Sequence, residues 1–290
     1  MQLLHTPAEM QQWSLAQRSR GVRLGCVPTM GCLHDGHMAL VAEARARADQ
    51  AIVTIFVNPT QFGPHEDFQR YPRPLEDDLA RCRAAGVAAV FLPQPQQMYA
   101  ADHSVYIVEE QLGNGLCGAS RPGHFRGVCT VVAKLFNQTL PHVAIFGQKD
   151  YQQAAIIRRL VRDLDFPVEI VVAPVVREAD GLALSSRNRY LSADERQCAR
   201  GLSQALRLAR SAGADTEAAS LCQRLHHLLT TTYRLRVDYV AAVDGATLAP
   251  VTHLRPGVVI ALAAFAGTTR LIDNTVLGPP EDSARFIPPP

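Results

Sequence analysis

The sequence predicts an α/β protein: a parallel sheet covered by helices on both faces, followed by a smaller α+β unit. Two observations carry this prediction. Through the first two-thirds of the chain, apolar strand-like runs alternate with helix-period segments, and most of the runs are apolar on both faces, as strands between two helix layers are. After about residue 176 the rhythm changes to two helices followed by strands.

The strand-like runs are Val22–Val27, Ile52–Val57, Val87–Leu92, Val143–Phe146 and Val168–Ala173. Between them, Leu75, Leu79 and Cys82 fall on one helical face ahead of Gly86, a good stop. Val131, Val132, Leu135 and Phe136 form a second stripe ending before Pro141, and Ile157, Leu160, Val161 and Leu164 a third. In the second unit, Ser192-x-x-Glu195 reads as a capping box. It opens a helix that turns Cys198, Leu202, Ala205, Leu206 and Ala209 inward. A helix bearing Leu221, Leu225, Leu228 and Leu229 follows, then strand-like runs Val237–Val243, Val258–Phe265 and Thr269–Ile272. The expected division is 1–175 and 176–290. The segment from about 277, with five prolines and few apolar anchors, should be loose.

With 290 residues, 47% of them hydrophobic, the chain suffices for about two domains and a sizeable core. Its 29 basic and 27 acidic side chains leave a formal charge of +2, too balanced for a long nucleic-acid footprint but compatible with a small anion pocket. The longest apolar run, Val258 to Ala266, is less than half a membrane span, so no membrane partner is expected. The start, Met1 to Pro7, lacks the basic segment and apolar run of a secretory signal. Seven cysteines, odd in number and without a Cys-x-x-Cys pair, fit a reduced, cytoplasmic setting.

Four segments carry chemistry. Val27-Pro28-Thr29-Met30-Gly31-Cys32-Leu33-His34-Asp35-Gly36-His37 leaves the first strand and runs into a helix bearing Met38, Val41 and Ala42. Such a loop is where α/β sheets bind anions. His34 and His37 can share one face there, and Gly36 removes a side chain where a flat ring or a phosphate must approach. A zinc site is disfavoured, because no Cys or Glu partner has matching spacing. At the end of the second strand, Phe56-Val57-Asn58-Pro59-Thr60-Gln61-Phe62-Gly63 offers amides suited to a carboxylate or hydroxyl. After the fourth strand comes Phe146-Gly147-Gln148-Lys149-Asp150-Tyr151-Gln152-Gln153. Asp150 and Gln153 read as a capping box there, while Lys149 is placed for a phosphate. Fourth, Val176 through Leu184-Ser185-Ser186-Arg187-Asn188 sets two hydroxyls and a guanidinium at the unit junction, a compact polyphosphate-binding set. A further basic loop, Arg121 to Arg126, is ambiguous between substrate contact, interface and solvent.

Together these segments, with Asp67 and Arg70-Tyr71-Pro72-Arg73, resemble the AMP-forming pantoate–β-alanine ligases, in order and over almost the whole chain. The chain departs from the family pattern in Gln148, where Glu is usual, in Cys32, where Ala is usual, and in His65 of a variable loop. The resemblance implies a Rossmann-like first domain binding ATP and pantoate, a smaller mobile second domain closing over the ATP site, a homodimer and Mg²⁺. It implies two steps: pantoyl adenylate forms with release of pyrophosphate, then β-alanine displaces AMP to give pantothenate. His34, His37, Lys149 and Arg187 become the catalytic set on the ATP phosphates, His37 donating a hydrogen bond or proton to the departing group. Ser185 and Ser186 hold the β and γ groups, Met30 and Gly147 border the nucleotide, and the Val176 backbone reads adenine. Gly31, Cys32, Leu33, Asp35, Gly36, Gln148, Asp150 and Leu184 complete the ATP-binding set, with Asp150 near the Mg²⁺ or the ribose. Gln61, Gln153 and Asn58 take the polar atoms of pantoate and β-alanine, and Phe56, Val131 and Val132 wall in the pantoate methyls.

Overall fold

A computed structural model of the chain describes residues 1–64, 66–278 and the backbone of 285–286. In chain order the first unit contains β1 (Gln2–Leu4), α1 (Pro7–Arg18), β2 (Leu24–Thr29), α2 (Asp35–Arg47), β3 (Gln50–Ile55), α3 (Leu75–Ala84), β4 (Ala89–Phe91), α4 (Pro95–Met98), α5 (Leu116–Ser120), α6 (His124–Thr139), β5 (Val143–Gly147), α7 (Tyr151–Asp163) and β6 (Glu169–Ala173). The second contains α8 (Ala193–Ala199), α9 (Gly201–Arg210), α10 (Ala218–His227), β7 (Arg236–Asp244), β8 (Val258–Ala266) and β9 (Thr269–Val276); β10 (Arg285–Phe286) follows.

Six strands form a parallel sheet in the order β1-β4-β3-β2-β5-β6, and β10 adds antiparallel at the β6 edge. All five expected strands are present. β1 adds a sixth, too short to signal itself by periodicity. Successive residues of each strand serve opposite cores. Leu24, Ile52, Phe91, Phe146 and Ile170 pack with α1, α6 and α7, while Val27, Val53, Val90, Ile145 and Val171 pack with α2 and α3. This two-sided burial is why the strands read as apolar on both faces.

Chain order runs outward from β2 to β3 and β4, then restarts at β5 on the other side, so the topological switch lies between β2 and β5. These neighbours share only Gly25↔Val143 and Cys26↔Ala144, whereas β2 stays paired with β3 as far as Thr29↔Ile55. The sheet is therefore unpaired on one side at the carboxyl ends of β2 and β5. An open α/β sheet binds ligands at such a point.

The second unit is a three-stranded antiparallel sheet, β7-β8-β9. One face buries Leu202, Leu206, Leu221, Leu225 and Leu229 of its helices against Ile260 and Leu262, and Val259 and Ala261 on the other face meet Tyr151. The Ser192–Glu195 capping box forms as expected. The single helix expected beyond it is interrupted at Arg200, where Gly201 lies so close to the Tyr233 ring that no Cβ would fit. Most of the segment expected to be loose lies outside the described residues. Within it, Leu277 is anchored through backbone bonds to Gly257 and Val258, and β10 pairs with β6. Among the described residues, no helix is long and apolar enough to cross a membrane.

Candidate active site

The switch point opens into a cavity of about 210 Å³ lined by all four motif segments. A smaller chamber of about 80 Å³ adjoins it and shares Lys149, Asp150, Gln153, Ser185 and Arg187.

The loop after β2 is shaped by two left-handed residues, Gly31 (φ 81°) and Cys32 (φ 51°). At Gly31 a Cβ would stand 2.9 Å from Ile55 and 3.0 Å from the Asp78 carboxylate, so glycine is required for both conformation and space. Asp78, on α3 and only 1% exposed, accepts the N–H groups of Cys32 (2.8 Å) and Leu33 (2.6 Å). Burial holds its carboxyl above the usual aspartate range, and the two N–H bonds oppose that shift.

His34 is the N-cap of α2, and its backbone N–H donates to Nδ1 of His37 at 3.2 Å. A backbone N–H can only donate, so Nδ1 of neutral His37 carries the lone pair and Nε2 the proton. The two rings stack with centroids 4.0 Å apart. Gly36 is explained by the same packing: a Cβ there would meet the His34 ring at 2.9 Å, so the flat group it accommodates is its own neighbour. Enclosure, with Lys149 nearby, pushes His34 down to about 4; enclosure, His34 and Lys149 push His37 down to about 3. Both rings are neutral at pH 7.

On the pantoate side expected from the sequence, Phe56, Val131 and Val132 line the cavity as an apolar wall, with Val128 and Leu135 beside them. Gln61 and Gln153 also line it. Gln61 donates from Nε2 to Met30 Sδ at 3.3 Å, and its Oε1 accepts from Asn58 Nδ2 at 3.0 Å. Asn58, 1% exposed, spends its amide on Gln61, Gly127, Thr60 and Tyr99. It lines the cavity with its amide already paired.

Of the residues expected to bind ATP, Met30, Gly36, Gly147, Lys149, Asp150, Val176, Leu184, Ser185, Ser186 and Arg187 line the cavity with the two histidines. The Val176 carbonyl, expected to read adenine, already accepts the Leu184 N–H at 3.0 Å. Both cations carry a carboxylate partner. Lys149 Nζ lies 3.7 Å from Asp150, and Arg187 makes a bidentate pair with Asp67, both bonds 2.8 Å. The serine hydroxyls shape the loop: Ser185 accepts the Arg187 N–H (3.2 Å), and Ser186 donates to the Cys32 carbonyl (3.2 Å), joining the fourth segment to the first.

Five expected ATP-binding residues are absent from this lining. The left-handed turn points the Cys32 and Leu33 N–H groups at Asp78 and buries Leu33 in the core, while Gly31 faces a different depression. Asp35 sits on the exposed side of α2 and pairs with Arg81 at 3.0 Å. Gln148 turns toward the second unit, donating to Asn274 at 3.3 Å, so the departure from Glu falls outside the cavity lining. The expected Asp150–Gln153 capping box is also absent. A 3₁₀ turn, Gln148–Asp150, leads into α7, and the Asp150 carboxylate turns to Lys149 instead. His65 lies outside the described residues.

Sequence reasoning missed Asp78 and assigned no role to Glu66 or Tyr71. Asp78 left a signal: it sits four residues before Cys82 and beside Leu79 on the buried face of α3, and a carboxylate on an apolar stripe must have a partner.

Buried neutral histidines make stability depend on pH. His34, His37 and His124 have lower pKa values folded than unfolded, so the unfolded chain binds more protons between about pH 3 and 6.5. Stability from this source is complete above about 6.5 and declines on acidification. At pH 5 each of His37 and His124 withdraws up to ~2 kcal/mol. Thermal melts should therefore show a falling midpoint from pH 7 to 5; an unchanged midpoint would contradict this account.

The fold and cavity together define the chain as an α/β nucleotide-binding enzyme with a paired-histidine loop at the switch point. A family model described as pantoate-beta-alanine ligase matches residues 2–276. The chain is 52% identical over 279 residues to the pantothenate synthetase of Moorella thermoacetica, covering 96% of this chain and 99% of that one. It is 56% identical to that of Anaeromyxobacter dehalogenans, covering 94% and 97%. Among solved structures, pantothenate synthetase from Thermus thermophilus superposes with a TM-score of 0.88 at 43% identity, covering 96% of this chain and all of that one. The pantoate-beta-alanine ligase of Francisella tularensis, complexed with beta-gamma ATP and β-alanine, gives 0.79 at 32% identity, covering 95% and 97%. The chain belongs to the pantoate-beta-alanine ligase family, whose activity joins pantoate to β-alanine with ATP.

Proposed function

We propose that this chain binds ATP and pantoate side by side in the switch-point cavity and makes pantothenate through pantoyl adenylate. The observation that carries this reading is that one cavity gathers both kinds of lining. The two histidines, Lys149 and Arg187 share it with an apolar wall of Phe56, Val131 and Val132 and the amides of Gln61 and Gln153. A carboxylate is already ionised at neutral pH, so the first step requires positioning and charge neutralisation rather than a strong base. A pantoate carboxylate oxygen bonds to the α-phosphorus of ATP as the bond to pyrophosphate breaks. The neutral amine of β-alanine then bonds to the acyl carbon, AMP leaves with the electron pair of the acyl–oxygen bond, and the amine loses a proton.

In this scheme His37 Nε2–H, His34, Lys149 and Arg187 bear on the phosphates, and the Ser185–Ser186 loop carries Arg187. Gln61 and Gln153 orient pantoate. Mg²⁺ arriving with ATP would neutralise phosphate charge. The cavity fits an ion held mainly by the nucleotide, since Asp150 is the sole carboxylate among its described lining residues and no described cluster of three His, Cys, Asp or Glu could hold a metal. We further propose that 1–175 and 176–290 act as two domains, the second closing over ATP. Support comes from Asn274 on β9, which donates to the carbonyls of Gln148 (2.8 Å) and Lys149 (2.9 Å). The near-neutral composition and seven free thiols support a cytoplasmic enzyme without nucleic-acid or membrane partners, and the family resemblance supports a homodimer.

ATP–pyrophosphate exchange with Mg²⁺ tests the route. Exchange should require pantoate and proceed without β-alanine. No exchange from folded, ATP-binding protein would overturn the adenylate, and a stable dinucleotide product would point instead to an adenylyltransferase. In the same assay, Gln61→Ala should raise the KM for pantoate about tenfold while leaving that for ATP nearly unchanged. Equal losses for both substrates would contradict the assignment of Gln61.

A further inference from the structure

The structure assigns His124 as a positioning residue for Gln61: it clamps the backbone of the loop that presents this glutamine to pantoate. The inference deepens the reading of Gln61 above and rests on it. The loop is a 3₁₀ turn, Pro59–Gln61, seated on the first turns of α6. Gly127 lies so close to the Thr60 carbonyl that no Cβ would fit, and Asn58 Nδ2 donates to the Gly127 carbonyl at 3.2 Å. His124, the first residue of α6 and 7% exposed, places Nδ1 2.8 Å from the Gln61 carbonyl oxygen and Nε2 3.0 Å from Arg121 Nη1.

The two neighbours dictate the tautomer. A carbonyl oxygen can only accept and a guanidinium can only donate, so Nδ1 bears the proton and Nε2 the lone pair. Burial and the Arg121 charge push the imidazole down to about 4, which preserves that lone pair at neutral pH. Arg121 is itself fixed by Glu66, with bonds of 2.5 and 2.8 Å, and its Nη2 makes a longer 3.4 Å bond to the same Gln61 carbonyl, while Glu66 Oε2 accepts the Gly63 N–H at 3.1 Å. The chain from the Gly63 N–H through Glu66, Arg121 and His124 to the Gln61 carbonyl thus brackets the loop at both ends. It also resolves the ambiguous basic loop: Arg121 and His124 hold the backbone beneath a substrate reader.

The test is a set of variants in the exchange assay, with the KM for each substrate measured separately. His124→Ala should raise the pantoate KM about tenfold, ~1.4 kcal/mol, with the ATP KM changed less than about twofold. His124→Asn, whose amide N–H can occupy the place of Nδ1–H, should recover most of that loss. His124→Gln, whose amide reaches only the Nε2 position, should not. In a Gln61→Ala background, His124→Ala should add less than about twofold to the pantoate KM, because the group it positions is gone. Additive losses, or equal losses in Asn and Ala variants whose thermal melts match the parent, would overturn the positioning role. A Gln61→Ala variant with unchanged pantoate KM would overturn the reading of Gln61 itself. A raised KM in Gln61→Ala beside an unaffected His124→Ala would overturn only the present inference.

Discussion

His37→Ala is expected to slow pantoate-dependent ATP–pyrophosphate exchange by about 10²-fold or more, the usual cost of deleting one donor aimed at developing charge. On the proposed assignment, the geometry narrows what that donor is. Nδ1 is occupied by the His34 N–H at 3.2 Å, so the group available to the phosphates is Nε2–H of a neutral ring. A ring whose pKa is held near 3 serves better as a hydrogen-bond donor than as a general acid at pH 7. Two further results follow. His37→Gln, which places an amide N–H near the Nε2 position, should retain more exchange than His37→Ala. The pH–rate profile should show no histidine inflection near 6.5. Near-normal exchange in folded His37→Ala would remove the assignment.

Asp78→Asn should be the second severe lesion, although the residue lines no part of the main cavity. Its two carboxylate oxygens accept the Cys32 and Leu33 N–H groups at 2.8 and 2.6 Å. Asparagine supplies one oxygen, so its amide nitrogen must face one of those N–H groups, donor against donor. Leaving a buried N–H unsatisfied costs about 1–3 kcal/mol, and the repulsion adds to it. The loop can relieve the conflict only by moving, and that shifts Met30 and His34. The expected result is a lowered thermal midpoint together with kcat/KM for ATP reduced more than about tenfold. Glutamate should not rescue it, because the longer arm does not fit against Gly31, where the carboxylate lies only 3.0 Å from the position of a Cβ. Parental stability and ATP kinetics in Asp78→Asn would show that the loop holds its shape without these bonds.

The framework was legible because its signals are local. Strands buried on both faces read as continuous apolar runs, and helices announce themselves through stripes such as Leu75–Leu79–Cys82. The motifs named segments that meet in one cavity, but residue identity could not say which way each group turns. Gly31 and Cys32 reverse the chain through left-handed conformations, sending Leu33 into the core and Asp35 into solvent, and nothing in the spacing of the histidines encodes that. The partners of Arg187 and Gln61 were hidden for another reason. Asp67 and His124 are 120 and 63 residues away along the chain, so the pairs exist only once the sheet is assembled. Asp78 was within reach, since a carboxylate on the buried side of a helix demands a counterpart even when the counterpart is unknown.

The pairing of both cations has one further consequence. Arg187 holds Asp67 with two bonds of 2.8 Å, and Lys149 faces Asp150 at 3.7 Å. On the proposed assignment of these residues to the phosphates, the site would work as an ion exchanger: incoming phosphate oxygens would replace built-in carboxylate counter-ions. The two pairs would leave the resting cleft little pull on stray anions. When pyrophosphate left, the carboxylates would return and resist its recapture. Affinity for the triphosphate would then be the difference between two sets of contacts, one trading places with the other at every turnover.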